Sequence, residues 1–332
     1  MIFDWRELPE DLSMPPAPSA AHFDPALDAW YLSRYADVAA ALHDSRLRPA
    51  QSDAVGDMAL TRPAAQRALS AARLAEWQAK LEPLAERHAL ALPVDRPVDL
   101  VGEFAEPWCA AVAILVTEPA PDDLARLLPL ARRVSAVAAD PDDAALKPEA
   151  AAANAEIERT LAGRSLPMPG AAFVALTQTL PGFLVASWLA LLRHPAQMAA
   201  LHADPLLITA AVDELLRYAG LARTVVRFAQ ASLHLGGAQI TAGQKVILAL
   251  NSANRDPLQF SDPNRLDVSR RAAGQLALGA GAHSCVAAGL IRMASAVATA
   301  AFVQRFPAAR VCEPVRWRGG SGFRAPAVLF AR

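Results

Sequence analysis

The sequence predicts a mainly α-helical protein with small peripheral β-sheets. Hydrophobic residues make up 54% of the 332 residues, and the abundance of Ala and Leu favours helix over strand. Helical periodicity recurs along most of the chain, whereas strand-like alternation is confined to short pieces, which argues against a doubly wound fold. The chain shows no clean internal boundary, so we expect one domain, residues 1–332, with a large core.

The predicted elements follow from these two periodicities. Helical periodicity covers 37–42, 64–92, 124–139, 151–161, 171–194, 206–218 and 287–306. Strand-like alternation covers 29–32, 225–228, 232–235, 246–250 and 324–330. Between 236 and 271 the chain is punctuated by Gly, Pro, Asn and Asp, which predicts a long ordered meander of turns. Long irregular segments in compact proteins usually carry function.

The segment 171–192 contains no charged residue and is long enough to cross a bilayer. The alternative is a helix buried in a large protein. Gln178 and Pro181 fall in mid-segment, where a bilayer would penalise them, so we favour the buried helix and expect no membrane. The N-terminal MIFDWRELPEDLS has early acids and no apolar core segment, which is untypical of a signal peptide.

The overall charge excludes several partners. There are 32 Lys+Arg against 33 Asp+Glu, a net charge of −1, so no global field favours nucleic acid or an anionic membrane. Aromatic residues are only 6%, which argues against a base-stacking surface. The cysteines Cys109, Cys285 and Cys312 are odd in number and widely spaced, which argues against disulfides and zinc and favours the cytoplasm.

The most informative segment is LGAGAHSC, which ends at Cys285 and precedes a long Ala-rich helix. Gly279 and Gly281 permit tight turns and a close approach to a flat ligand. A cysteine at the start of a helix lies in a field that favours its thiolate, and a thiolate is a strong axial ligand for haem iron. His283 is placed to hydrogen-bond a haem propionate. The alternative is that Cys285 simply fills the core.

At this point a family resemblance becomes specific. LGAGAHSCVAAGLIRM resembles the cysteine-ligand loop of bacterial cytochromes P450, a family of helical prisms with small peripheral β-sheets. The resemblance implies a heme b group with Cys285 as the axial ligand to iron. The other matching residues are His283, Gly279 and Gly281, while Leu278 replaces the usual Phe and Ala287 replaces the usual last Gly.

Other segments resemble the same family in the same order, over nearly the whole chain. AVDELLRY resembles its ExxR helix, which implies a structural network of Glu214 and Arg217, with Arg265 of the meander as the third member. A surface ion pair of little energetic value is the alternative. Arg227 falls where many bacterial members bind a haem propionate, and Arg67 falls roughly where a second propionate contact arises.

The uncharged segment 171–192 resembles the family's long central helix, which passes over the haem. Thr179 matches the alcohol of the oxygen-binding kink, whereas Gln178 replaces the usual acid and Leu176 replaces the usual Gly. The resemblance assigns Thr179 and Gln178 to catalysis. Gln178 can hydrogen-bond but cannot shuttle a proton by ionising.

The chain is short for the family in two places, 48–67 and 123–171, where the substrate lid normally forms. The second interval has room for about two helices. We expect shortened substrate-lid regions and an open distal pocket. Such a pocket suits a large or carrier-tethered substrate, or is completed by a partner protein.

The resemblance implies a monooxygenase that hydroxylates, epoxidises or desaturates an apolar or carrier-tethered small molecule in bacterial secondary metabolism. It takes electrons from a ferredoxin or similar redox donor, and Arg270, Arg271 and Arg292 either dock that donor or form a solvated basic face. Gln178 leaves open non-standard chemistry: peroxide use, isomerisation or dehydration. The short lid leaves open a recruitment scaffold without catalysis, against which the retained Cys285 and His283 count.

Overall fold

The computed structural model describes residues 20–49, 58–140, 143–167, 169–320 and 322–332. The helices are α1 (Tyr35–His43), α2 (Met58–Ala68), α3 (Ala71–Ala91), α4 (Glu106–Thr117), α5 (Asp123–Ala139), α6 (Lys147–Thr160), α7 (Pro169–Val174), α8 (Leu180–Arg193), α9 (Pro195–Ala203), α10 (Ile208–Ala219), α11 (Leu250–Ala253) and α12 (Ala288–Arg305). The strands are β1 (His22–Asp24), β2 (Ala29–Leu32), β3 (Leu47–Arg48), β4 (Val98–Asp99), β5 (Thr224–Ala229), β6 (Leu233–Leu235), β7 (Ala238–Ile240), β8 (Lys245–Ala249), β9 (Val311–Gly319) and β10 (Arg324–Ala331). The prediction of a mainly α protein with small sheets is confirmed.

The sheets join segments that are far apart in the chain. The largest has the order β1-β2-β8-β5-β3, in which β2 and β8 run parallel and the other pairs antiparallel. A second sheet has the order β4-β10-β9, and β6 and β7 form a hairpin. Because β3 pairs with β5, the early residue Arg48 is brought opposite Phe228, beside Arg227.

The core is centred on α8, whose residues from Leu180 to Leu192 are all buried. The Trp188 ring stacks between Phe104 and Phe302, with centroid distances of 5.0 and 4.9 Å. The helix Pro169–Arg193 and the helix Leu100–Thr117 are long and apolar enough to cross a membrane, but 78% and 56% of their apolar windows are buried inside the protein. The uncharged segment is thus a core helix, as we favoured.

Several helices differ from the sequence prediction. The stretch 64–92 is divided between α2 and α3, because Ser70 adopts an extended conformation and its hydroxyl caps α3 by accepting the Arg73 N–H. The helices α4, α9 and the short α11 were not predicted. In α4 apolar residues surround the helix without a polar stripe, so the sequence carries no 3.6-residue signal there.

The interval 123–171 contains α5 and α6, which pack against one another and against α7. This agrees with the room for two helices that the sequence indicated. Of the predicted meander 236–271, residues 254–271 have turns without a helix or a strand, as the punctuation predicted, whereas residues 236–253 contain β7, β8 and α11. This meander packs on α10, and the contacts described below hold it there.

Candidate functional site

The loop 278–285 has a defined shape set by its backbone. The Cys285 N–H donates to the Leu278 carbonyl at 2.8 Å, which closes the loop. Gly279 and Gly281 have φ of +69° and +66°, a region that non-glycine residues rarely adopt. A Cβ on Gly281 would also collide with the Leu42 carbonyl of α1. Both predicted glycine positions are thus required by the conformation of the loop.

The two departures from the family pattern are accommodated. Ala287 has φ −89° and ψ 14°, a conformation open to alanine, so no glycine is needed there. The Leu278 side chain is half-buried and packs against the main core. Both residues therefore fit the backbone that the loop adopts in this protein.

The Cys285 thiol lies in a mixed environment. Burial raises its pKa above the ordinary value, while the Ala287 N–H directed at the sulfur and the charges of Arg62 and Arg292 act in the opposite direction. Burial is the largest of these effects, so the thiol on its own holds its proton at neutral pH. The expectation that the following helix would favour the thiolate is therefore outweighed by desolvation, and a bound metal ion is needed to displace the proton.

Beside this loop lies a group of positive side chains. Arg62 of α2 donates to the Ser284 carbonyl at 2.7 Å and to the Ser284 hydroxyl at 2.8 Å. His283 is largely exposed, and its pKa is lowered by partial desolvation of the ring and then by the charges of Arg227, Arg62 and Arg48. None of these arginines has a carboxylate partner among the described residues. This arrangement is suited to a ligand that carries negative charge.

The two arginines predicted to bind the haem propionates, Arg227 and Arg67, differ in their surroundings. Arg227 is 8% exposed, and its guanidinium donates to the Val226 carbonyl at 2.9 Å. Arg67 is exposed on α2 and contacts no residue of the loop in the described part of the chain. Arg62, five residues earlier and on another face of the same helix, is the arginine that reaches the loop.

The ExxR helix carries a buried ion network. The Arg217 guanidinium donates to both Glu214 carboxylate oxygens, at 2.7 and 2.8 Å, and both side chains are fully buried. It also donates to the carbonyls of Asn254 and Pro263 in the meander. The predicted buried pair is present and ties α10 to the meander.

The third member of this network is Arg270, and the prediction of Arg265 was wrong. The Arg270 Nε donates to the Glu214 carboxylate at 3.2 Å, and its side chain is only 13% exposed. The Arg265 side chain is 65% exposed and lies 3.7 Å from Asp267. Arg265 instead contributes its backbone carbonyl, which accepts from Arg217 at 3.3 Å.

The central helix widens where the sequence placed the oxygen-binding kink. Residues Ala175–Thr179 form a π-helical turn in which the Leu180 N–H donates to the Ala175 carbonyl. Pro181 accounts for this widening, because a proline has no N–H and its ring clashes with the carbonyl four residues earlier in an α-helix. The Thr177 hydroxyl donates to the Phe173 carbonyl at 2.8 Å, which occupies it within the helix.

A cavity of about 300 Å³ opens beside this turn. Gln178 and Thr179 line it, while Leu176 is buried in the core. The other walls are α5, Leu221 and the β9–β10 hairpin. Most of the lining is apolar, with arginines at Arg132, Arg318 and Arg324. This cavity is the candidate substrate pocket.

Comparisons with known proteins agree with this arrangement. The family model for cytochrome P450 matches residues 193–312, which include α10, the meander and the cysteine loop. The vitamin D(3) 25-hydroxylase of Pseudonocardia autotrophica is 30% identical over 315 residues, covering 81% of this chain and 78% of its own length. The chain belongs to the cytochrome P450 family. Cytochrome P450 107B1 of Saccharopolyspora erythraea is 28% identical, over 88% of this chain and 86% of its own.

The fold comparison extends over the same range. The crystal structure of P450BioI in complex with hexadec-9Z-enoic acid ligated acyl carrier protein superposes with a TM-score of 0.82, over 91% of each chain, at 22% identity. This likeness shows the fold, and the sequence relatives show that this P450 is a monooxygenase-type oxidoreductase whose family binds haem through a cysteine thiolate. The residues present fit that group, because arginines without a carboxylate partner among the described residues lie next to the partly buried thiol of Cys285, and haem carries two propionates.

Sequence reasoning missed two residues of this P450, Arg48 and Arg62, and it assigned Arg270 to a docking face instead of to the Glu214 network. Arg48 and Arg62 lie far from the cysteine loop in the chain, and only the β3–β5 pairing and the packing of α2 bring them to it. The helical spacing between Arg62 and Arg67 could have indicated that the two arginines do not face the same way. Two residues five apart point about 140° apart on an α-helix, so only one of them faces the loop.

We expect Arg62→Gln to weaken haem binding by about 10- to 100-fold, because a charge-assisted hydrogen bond contributes roughly 1.5–3 kcal/mol. Haem titration of the apoprotein measures the change. Arg67→Gln is the matched control on the same helix and is expected to bind haem within about twofold of the parent. Equal losses in both variants would contradict the assignment of Arg62.

Proposed function

We propose that Cys285 is the axial ligand of the haem, that Arg62, Arg227 and His283 bind its propionates, and that the whole chain forms one haem domain. Of the three cysteines, Cys109 is fully buried inside α4 and Cys312 lies on β9. Of these three cysteines, only Cys285 lies in a loop whose turns require glycine and has arginines close to its sulfur. When bound, the haem supplies the activation of dioxygen.

We propose further that the substrate is an apolar small molecule of bacterial secondary metabolism, presented on a carrier protein, which is hydroxylated, epoxidised or desaturated. The observation that carries this proposal is the cavity beside Gln178 and Thr179, whose α5 and hairpin walls are mostly apolar. The P450BioI structure contains an acyl carrier protein with its acyl group, which supports a tethered substrate for a protein of this fold.

Binding of one acyl chain in two forms tests the carrier. The same long-chain acyl group is titrated as the free acid and as the thioester on acyl carrier protein, and the shift of the haem Soret band is followed. We expect the Kd of the carrier-bound form to be at least about tenfold lower, because the carrier protein makes its own contacts with the P450 in addition to those of the acyl chain. Equal Kd values would contradict the carrier and leave a free apolar substrate.

Thr179 is proposed to hold the water that delivers protons during dioxygen activation, with Gln178 as a hydrogen-bonding neighbour. Thr179→Val is expected to lower the product formed per NADH by about 10- to 100-fold at unchanged haem content, since positioned proton transfer contributes on that order. Thr117→Val is the control, because the Thr117 hydroxyl makes the same kind of bond within a helix, to the Ala113 carbonyl at 2.8 Å, and lies on α4. A similar loss in both variants would indicate a general structural effect of removing a helical hydroxyl.

The redox donor is proposed to be a ferredoxin or a similar small protein. Of the three arginines singled out for its docking, Arg270 is bound to Glu214, and Arg292 lies 2.9 Å from Asp213. Arg271 is exposed and has no carboxylate partner among the described residues. We therefore assign the docking contribution to Arg271, and a cytoplasmic location follows from the need for such a donor.

A second candidate function rests on Gln178. An amide at this position cannot supply a proton by ionising. This favours hydrogen peroxide as the oxidant, because peroxide brings the protons that dioxygen would have to receive from the protein. Peroxide-supported turnover that exceeds turnover with dioxygen, ferredoxin and reductase would establish this alternative. The reverse result would support the monooxygenase cycle.

A further inference from the structure

A second, smaller cavity of about 40 Å³ lies where the chain after α10 meets the base of the β9–β10 hairpin. The Arg223 N–H donates to the Gly322 carbonyl at 2.9 Å, and Ala222 forms a β-bridge with Phe323. Leu221 and Arg324 line both this cavity and the larger one beside Thr179. The two cavities therefore share a wall.

The described lining of the small cavity is strongly cationic. It contains four arginines and two asparagines but no carboxylate side chain; the arginines are Arg217, Arg223, Arg255 and Arg324. Glu214 neutralises Arg217 from outside the cavity. Arg255 donates to the Tyr218 carbonyl at 2.8 Å and lies over the Tyr218 ring at 4.1 Å.

Arg223 is the residue that this network leaves uncompensated. It is 7% exposed, and its guanidinium has neither a carboxylate nor a hydrogen-bond acceptor among the described residues. The facing charged and titratable groups are Arg324 and Tyr31. Burial, followed by the charge of Arg324, lowers the pKa of Arg223 to about 10, so the side chain remains charged at neutral pH.

Tyr31 does not neutralise this charge. Burial raises the pKa of its phenol above the ordinary value, so the hydroxyl keeps its proton at neutral pH. A buried guanidinium without a negative partner destabilises a folded protein, whereas a partner with good geometry compensates it. The cavity next to Arg223 offers space for such a partner.

We propose that this cavity is a binding site for one small anion, chloride or a carboxylate group, held by Arg223 with Arg324 on its other side. The volume corresponds to that of a few water molecules, which admits these anions and excludes a substituted phosphate. The planar guanidinium fork matches a carboxylate and also binds halides through its N–H groups. The bound anion holds the hairpin against the chain that follows α10.

Two measurements on the holoprotein test the site. Chloride replaces gluconate from about 1 to about 200 mM at constant ionic strength, and we expect the melting temperature to rise by roughly 2–4 °C. Crystals grown in bromide are expected to show an anomalous peak next to Arg223. Arg223→Gln should lose both effects. Arg316→Gln changes an exposed arginine on β9, in the hairpin that borders the cavity, and should keep both effects.

Equal melting temperatures in chloride and gluconate, with no bromide peak in the cavity, would overturn the proposal and leave only water at Arg223. If Arg223→Gln does not fold, the measurements on the parent protein still decide. The source of the anion is a separate question that rests on the proposed function. Chloride that raises the Kd of a medium-chain fatty acid but not of its methyl ester would assign the site to the carboxylate of the substrate, and no effect on either Kd would assign it to a free anion.

Discussion

Cys285→Ala is expected to abolish the strongly red-shifted Soret band of the reduced protein under carbon monoxide, and to reduce oxygenase turnover to background. The shift depends on a thiolate bound to the iron. Alanine removes the sulfur and can adopt the backbone conformation of Cys285, which does not have a positive φ. The spectrum of purified, dithionite-reduced protein measures the change. Cys312→Ala is the control, since Cys312 lies on β9 and is also a free cysteine.

The same thiol predicts how haem loading depends on pH. Burial raises the Cys285 pKa, and the ligand form is the thiolate, so binding releases a proton. Below the raised pKa, haem affinity of the apoprotein should increase with pH by up to about tenfold per unit. Cys285→Ala should lose this dependence. A parent protein whose haem affinity is the same at about pH 6 and about pH 8 would contradict it.

Glu214→Gln is expected to destabilise the protein by roughly 3–5 kcal/mol, because it leaves the buried charge of Arg217 without its partner. Glu214 is fully buried, pairs with Arg217 and Arg270, and also accepts the Asp267 N–H at 3.0 Å. The melting temperature should fall by roughly 10 °C. Asp213→Asn is the neighbouring control: its ion pair with Arg292 is partly exposed, so we expect a loss of about 1 kcal/mol or less.

A second pair of variants keeps this test informative if Glu214→Gln is insoluble. Arg270→Met should cost about 1.5–3 kcal/mol, because it removes a charge-assisted bond to a buried carboxylate. Arg265→Met should stay within about 0.5 kcal/mol, since its side chain is solvated and only its carbonyl takes part in the network. Urea unfolding of both variants separates them, and the reverse order would restore Arg265 as the third member.

The sequence predicted helices well where polarity alternates around the helix axis. The bounds of α5, α10 and α12 fall within a few residues of the predicted ones. It failed at α4, in which Trp108, Cys109 and Val112 are buried and no polar stripe marks a solvent side. The outer side of α4 carries apolar residues such as Ile114, which is 43% exposed, so the two faces of this helix do not differ in polarity and hydrophobic periodicity does not reveal it.

The candidate site was predictable in its local parts only. Cys285, His283 and the loop glycines lie within seven residues of one another, so the pattern could be recognised directly. The arginines around them come from α2, β3 and β5, and their positions depend on tertiary packing. The choice between Arg265 and Arg270 depends on the turns between them, which place one guanidinium under Glu214 and the other in solvent.

The contact between Gly281 and the Leu42 carbonyl has a consequence for biosynthesis. The proposed haem site combines residues of α1, Arg62 of α2 and the cysteine loop that ends at Cys285. Chains are synthesised from the N-terminus, so the early contributors must wait for the late one. Loading of the cofactor is therefore a late step in the maturation of this protein, and nascent chains that stop before residue 285 should leave the ribosome without it.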